Sequence, residues 1–95
     1  MYYEILVNGA SLGVFGHDQI DSLSLAVQVC LGRHEIFASA VCKEDEALFL
    51  YDWLQHPVEP DDVVEFRRAK TGPSRPPRMK RKMRNLAGEP GSNAA

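Results

Sequence analysis

The sequence predicts a small α+β domain, with a mixed sheet packed over one helix and a basic C-terminal tail. Three observations support this prediction. Asn8-Gly9 between two apolar segments is a strong hairpin signal. Apolar side chains between positions 20 and 31 recur at helical spacing. The charge is divided along the 95 residues, with 12 acidic and two basic side chains in residues 1–66 and nine basic and one acidic in residues 67–95.

This division of charge predicts two units. Residues 1–66 have a formal charge of −10 and residues 67–95 one of +8, which add to the −2 of the whole chain. Such opposite halves indicate a folded acidic body with a separate basic arm. We therefore assign residues 1–70 to an acidic domain and residues 71–95 to a flexible tail rich in proline, arginine and lysine.

The first two elements form a predicted β-hairpin. Residues 2–7 are rich in aromatic and β-branched side chains, which favour a strand. Residues 12–16 are the return strand after a short turn that contains Asn8-Gly9. Gly13 and Gly16 in the return strand indicate a bulge or a close approach of another backbone.

A helix is predicted next. The apolar positions follow the spacing i, i+3, i+6, i+7, i+10, i+11, which places them on one helical face. They are Ile20, Leu23, Ala26, Val27, Cys30 and Leu31. Asp18 or Asp21 would cap the start of this helix, and Gly32 would end it.

Three further strands complete the predicted domain. Residues 36–42 form an almost continuous apolar run, which is typical of a central strand buried on both faces. Residues 47–51 are predicted as a strand, although Leu50 and Leu54 at i, i+4 also allow a helical turn. The last strand covers residues 63–68, after a loop that contains two prolines.

The order of these elements resembles the ββαββ order of a β-grasp fold. The segment Val58–Phe66 is similar to the final strand of ubiquitin-like and sulfur-carrier β-grasp proteins, where a Pro/Gly-Asp turn precedes an alternating strand. The resemblance implies a binding module or a small regulatory subunit. Carrier members of that family end in Gly-Gly after this strand, whereas this chain continues with Arg67-Arg68, so conjugation chemistry is not expected.

The tail begins with an abrupt change of composition. Residues 71–77 contain three prolines and two further small turn residues, which predict an extended linker. Residues 78–87 lack glycine and proline and could form a short helix with Met79 and Met83 on one side. Residues 88–95 are typical of disorder.

The sequence offers no recognisable catalytic or metal-binding signature. His17, His34 and His56 fall in turns or at element ends, and no hydrolase or metalloprotease motif contains them. Cys30 and Cys42 are expected to be reduced and buried, with a disulfide as the alternative. We therefore expect no catalytic residue, no metal and no cofactor. The chain has neither an apolar run of about 20 residues nor a signal-peptide pattern, and a cytoplasmic location is expected.

Two groups of residues are candidate binding sites. Phe49, Tyr51 and Trp53 would point to the same side of a strand, where a partly exposed aromatic row would bind a protein partner. Met79 and Met83, with Leu86, would form an apolar stripe on the basic tail, and this stripe would bind a protein partner or dock on the body of the same chain. The tail cations would contact a polyanion or an acidic partner; they are Arg75, Arg78, Lys80, Arg81, Lys82 and Arg84.

These observations favour a non-enzymatic protein-binding module that engages a larger partner through its acidic body and basic tail. Two alternatives stay open. The tail could bind nucleic-acid phosphates, or the acidic body could inhibit a nucleic-acid-binding enzyme by imitating its ligand. A homodimer is a further option, because so small a domain gains stability from association.

Overall fold

The computed structural model describes residues 1–85, which form seven β-strands and no helix. The prediction of an α+β, β-grasp-like, ubiquitin-like domain is therefore wrong, because the element assigned to the helix is a strand. The strands are β1 (Tyr2–Val7), β2 (Ala10–Gly16), β3 (Ile20–Cys30), β4 (Arg33–Glu44), β5 (Ala47–Pro57), β6 (Val64–Ala69) and β7 (Met79–Asn85).

The strands form two antiparallel sheets. One has three strands in the order β2-β1-β6, and the other has four in the order β3-β4-β5-β7. Apart from the return of β6 to β1, and of β7 to β5, neighbours in the sheets are also neighbours in sequence. Successive hairpins of this kind account for most of the fold.

The β1–β2 hairpin was predicted correctly. Asn8 and Gly9 both have positive φ, at 52° and 82°, as a two-residue turn of this type requires. The register shifts between Ile5 and Leu6, opposite a segment that contains Gly13 at φ 124°. The glycine thus marks a bulge, as the sequence suggested.

Residues 20–30 form β3 because a period of two fits them as well as a helical period does. Leu23, Leu25, Val27 and Val29 alternate with Ser22, Ser24, Ala26 and Gln28 along the strand. Leu31 and Gly32 have positive φ, at 52° and 75°, and turn the chain directly into β4. Gly32 is therefore the second residue of a hairpin turn and not the end of a helix.

The shared core lies between the two sheets. The four-stranded sheet contributes alternate residues of β4, which are fully or almost fully buried: Ile36, Ala38, Ala40 and Cys42. The three-stranded sheet contributes Ile5 and Phe15, which are 0% and 1% exposed. The Phe15 and Trp53 rings meet edge to face with centroids 6.3 Å apart, so the sheets are in direct contact.

The beginning of the predicted tail is part of the fold. Residues 79–85 form strand β7 and pair with β5, so the prediction of a short helix over residues 78–87 is wrong for this part. The rest of that predicted helix and the expected disorder of residues 88–95 lie outside the described residues. Within residues 1–85 the structure has no helix that could span a membrane.

Candidate protein-binding surfaces

Residues 73–78 connect β2 of the three-stranded sheet to β5 of the four-stranded sheet. The Arg75 backbone N–H donates to the carbonyl of Val14 at 2.8 Å, and its Nη1 donates to the carbonyl of Leu12 at 2.8 Å. The Arg75 guanidinium also lies 5.7 Å from the centre of the Phe15 ring. Arg75 therefore joins this segment to β2 and does not extend toward a partner.

Arg78 continues this attachment to β5. Its Nε and Nη2 donate to the two carboxylate oxygens of Asp52, at 3.1 and 3.0 Å, and Nη2 also donates to Gln55 at 3.2 Å. The hydrogen bonds from Arg78 to the Asp52 carboxylate raise the pKa of the guanidinium. Two parallel bonds between an arginine and a carboxylate fix the orientation of both groups, so Arg78 sets the position at which β7 begins.

A polar cluster holds the first half of β7, and we call it the Glu44 cluster. It consists of Glu44 with His17, Tyr51 and Lys80. Lys80 Nζ donates to Glu44 Oε1 at 2.6 Å, while Tyr51 donates its hydroxyl to Glu44 Oε2. His17 Nε2 is 2.8 Å from the same Oε2. The carboxylate thus joins strands β4, β5 and β7 to the segment that follows β2.

The chemistry of the Glu44 cluster is that of a structural anchor. Hydrogen bonds from Lys80 and Tyr51 lower the pKa of Glu44 to about 2. Burial and the bond to Glu44 raise the pKa of the Tyr51 hydroxyl. Near neutral pH the carboxylate is therefore ionised and the phenol is neutral, and neither is poised to exchange a proton. No group of three or more potential metal ligands occurs within residues 1–85.

The predicted aromatic interface is part of the core instead. Tyr51 and Trp53 are 8% and 4% exposed, and Phe49 is half-buried and packs against the core. The prediction of a partly exposed aromatic row is therefore wrong for Tyr51 and Trp53. They do share one side of β5, but that side faces the other sheet and Lys80, whose Nζ lies 4.7 Å from the centre of the Phe49 ring.

The six cations proposed as polyanion contacts differ in their availability. Arg75, Arg78 and Lys80 are engaged with the chain itself, as described above. Arg81 and Lys82 are exposed on β7. Arg84 is within β7, but its side chain lies outside the described part of the structure. Arg75, Arg78 and Lys80 are also exposed, but each already contacts other residues of the chain.

Strand β7 is an edge strand, and we call Met79–Asn85 the basic edge. One side of β7 pairs with β5, and no other strand within residues 1–85 pairs with its opposite side. Met79 and Met83 on this strand are 46% and 51% exposed. The basic edge therefore combines unpaired backbone groups, exposed cations and exposed apolar side chains.

Sequence reasoning missed the Glu44 cluster and the edge position of β7. Glu44 and Lys80 are separated by 35 intervening residues, and only the pairing of β4 with β5 and of β5 with β7 brings them together. One signal was available: Met79, Arg81 and Met83 alternate with Lys80, Lys82 and Arg84 in a segment without glycine or proline, which is also a strand pattern.

Comparison of the chain with protein-family models, with curated proteins and with solved structures found no match.

Proposed function

We propose that this chain is a non-enzymatic protein-binding module that receives an extended acidic segment of a larger protein along the basic edge. The observation that carries the proposal is the position of β7, a cationic strand at the edge of a four-stranded sheet. An edge strand presents a row of backbone N–H and C=O groups that a further strand can satisfy.

The side chains of the basic edge favour an acidic partner. Arg81 and Lys82 are exposed, so they are available to carboxylates on an added strand. Opposite charges on neighbouring strands stabilise the pair, whereas like charges destabilise it. Met79 and Met83 offer flexible apolar contacts, which adapt to different partner side chains.

A protein segment fits this surface better than a nucleic acid does. Three of the six predicted phosphate contacts are already engaged within the chain, and affinity for nucleic acid depends on the number of phosphates neutralised. The aromatic rings beside β7 are not available for base stacking, because Tyr51 is buried and Lys80 lies over Phe49. Two of the twelve acidic side chains of residues 1–66, Glu44 and Asp52, are paired with cations of the same chain, which reduces the negative charge available for imitating nucleic acid.

A peptide titration tests this proposal. The probe is a fluorescent nine-residue peptide of alternating glutamate and valine, and its matched control has the same sequence with every second amide N-methylated. Strand addition requires the peptide N–H groups, so we expect the N-methylated peptide to bind at least tenfold more weakly. Equal binding of the two peptides would show that charge alone, and not strand addition, holds the ligand.

Two matched substitutions locate the site. Lys82→Glu reverses a charge on the basic edge, whereas Arg33→Glu reverses one on an exposed residue at the start of β4. We expect Lys82→Glu to weaken peptide binding about five- to tenfold, corresponding to about 1 kcal/mol, and Arg33→Glu to change it less than twofold. Equal effects would contradict the proposed site. If duplex DNA bound more tightly than the acidic peptide, and with a steep dependence on salt, the nucleic-acid alternative would be supported instead.

A further inference from the structure

The opposite side of the molecule is open between the sheets, and we call it the open side. It is bounded by β3 and β6, which are the edge strands of their respective sheets. A groove of about 510 Å³ lies between them, lined by the first half of β3 and by Met1, Tyr3 and Phe66. Residues 73–78 bridge β2 and β5, whereas no strand within residues 1–85 pairs with the free edge of β3.

The inward row of β3 becomes steadily more exposed toward its end. In register, Leu25 lies beside Ala38 and Val27 beside Ile36, two residues of β4 that are fully buried. Leu23 and Leu25 are half-buried, whereas Val27 is 46% and Val29 60% exposed. Apolar side chains on the core face of the sheet are thus left partly uncovered at its edge.

This edge lacks the features that usually prevent strand pairing. Residues 22–32 contain no charged side chain and no proline, although natural edge strands are commonly protected by lysine, proline or a short length. β3 has 11 residues, and its one bulge, between Ile20 and Ser22, is confined to its start. Beyond Asp21, the edge is long, uncharged and partly apolar, and it is therefore suited to pairing with another strand.

We propose that a second copy of this chain pairs with β3 in antiparallel orientation about a two-fold axis at Ala26, forming a homodimer with a continuous eight-stranded sheet. In this register Leu25 of one copy lies opposite Val27 of the other, and Leu23 lies opposite Val29. Because these positions share one face of the strand, the two-fold axis joins the uncovered apolar rows of both copies.

The charges at the two ends of β3 agree with an antiparallel pair. Asp21 is exposed near the Ile20 end, and Arg33 is exposed opposite Cys30 at the other end. The Met1 ammonium also lies beside Ile20, and Glu35 lies 3.8 Å from Arg33. In the proposed register Asp21 of one copy lies opposite Leu31 of the other, two positions from Arg33, so an acidic and a basic side chain approach each other at both ends of the pair, and such complementarity favours this orientation.

This inference is independent of the basic edge, because β7 is at the opposite edge of the same sheet. The test measures the association state of the full chain by sedimentation from about 1 μM to 1 mM. We expect a concentration-dependent dimer. Val27→Lys places a charge in the middle of the edge and should weaken the dimer at least tenfold, whereas Val63→Lys, at another exposed apolar position (68% exposed), should leave it unchanged. A chain that stays monomeric throughout, or equal effects of the two substitutions, would overturn the proposal.

Disulfide trapping tests the register separately from stability. In a Cys30→Ser background, Ala26→Cys places two cysteines opposite each other at the axis, at the roughly 4.5–5.5 Å Cα separation that a disulfide accepts. Ser24→Cys is the matched control, because the same register separates its two copies by about 13 Å along the strand. We expect oxidation to cross-link only the Ala26→Cys chain. Cross-linking of both variants, or of neither, would refute the register. If the chain formed a 1:1 complex with an unrelated strand peptide in place of the dimer, the proposal that a second copy pairs with β3 would be wrong.

Discussion

Substitution of Glu44 by glutamine tests whether the Glu44 cluster anchors β7. The change keeps the size of the side chain but removes the negative charge of the carboxylate, whose oxygens accept hydrogen bonds from Lys80 and Tyr51. The pKa of Glu44 is lowered from 4.5 to about 2 in the folded protein. A group with a lower pKa in the folded state stabilises the fold above its unfolded pKa, and this contribution is lost as the pH falls toward the folded pKa.

The magnitude follows from this difference in pKa. A decrease from 4.5 to about 2 corresponds to about 3 kcal/mol in the absence of solvent screening. The Glu44 side chain is 22% exposed, so water screens part of the interaction, and we expect about 1–2 kcal/mol. Glu44→Gln should therefore lower the free energy of unfolding by this amount at pH 7, and the difference from the wild type should disappear as the pH falls from about 4.5 to 2.

Urea denaturation across this pH range measures the difference, and hydrogen exchange at the backbone amides locates it. We expect faster exchange of the β7 amides in the Glu44→Gln variant at pH 7. Glu46→Gln is the matched control, because Glu46 is exposed in the adjacent turn, and such a surface change should alter stability by less than about 0.5 kcal/mol. If the wild type and Glu44→Gln differed by the same amount at pH 7 and pH 2, the ionised carboxylate would not be the source of the anchoring.

Two further predictions concern single positions. Cys30 is exposed, whereas Cys42 is buried and burial raises its pKa to about 11. A thiol reagent at pH 8 should therefore label only Cys30 in the native protein, as measured by mass spectrometry. Rapid labelling of both cysteines would contradict the burial of Cys42. Gly13→Ala should lower stability by about 2 kcal/mol in a thermal melt, because φ 124° disfavours any side chain and the new Cβ would collide with the Arg75 stem. Adding Arg75→Ala to this variant should restore the stability lost to the collision. If no stability were recovered, backbone strain at residue 13 would account for the whole loss.

The sequence predicted local features well where one signal was unambiguous. The Asn8-Gly9 turn requires positive φ, and few residue pairs satisfy that condition as readily, so the first hairpin could be identified from its turn. The apolar run at residues 36–42 lies in β4, inside the larger sheet, as predicted. Only its alternate residues are buried, so the prediction that both faces are buried is wrong. In both cases the determining interactions are close in sequence.

The prediction failed where two periodicities fit the same residues. In β3, a helical face and an alternating strand face both account for Leu23 and Val27, and the tertiary pairing with β4 decides between them. The choice also affected the candidate site. With a helix expected to cover one face of the sheet, Phe49, Tyr51 and Trp53 were predicted on the other; in the structure Tyr51 and Trp53 are covered by the three-stranded sheet.

The pairing of β7 with β5 also has a consequence for synthesis of the chain. β7 emerges from the ribosome after the other six strands, so β5 is an unprotected sheet edge until the arginine-rich segment arrives. Nascent chains with such transiently exposed edges are prone to associate with one another. The ion pairs of Asp52 with Arg78 and of Glu44 with Lys80 form only when this segment arrives, and the pairing of β7 then covers the edge of β5.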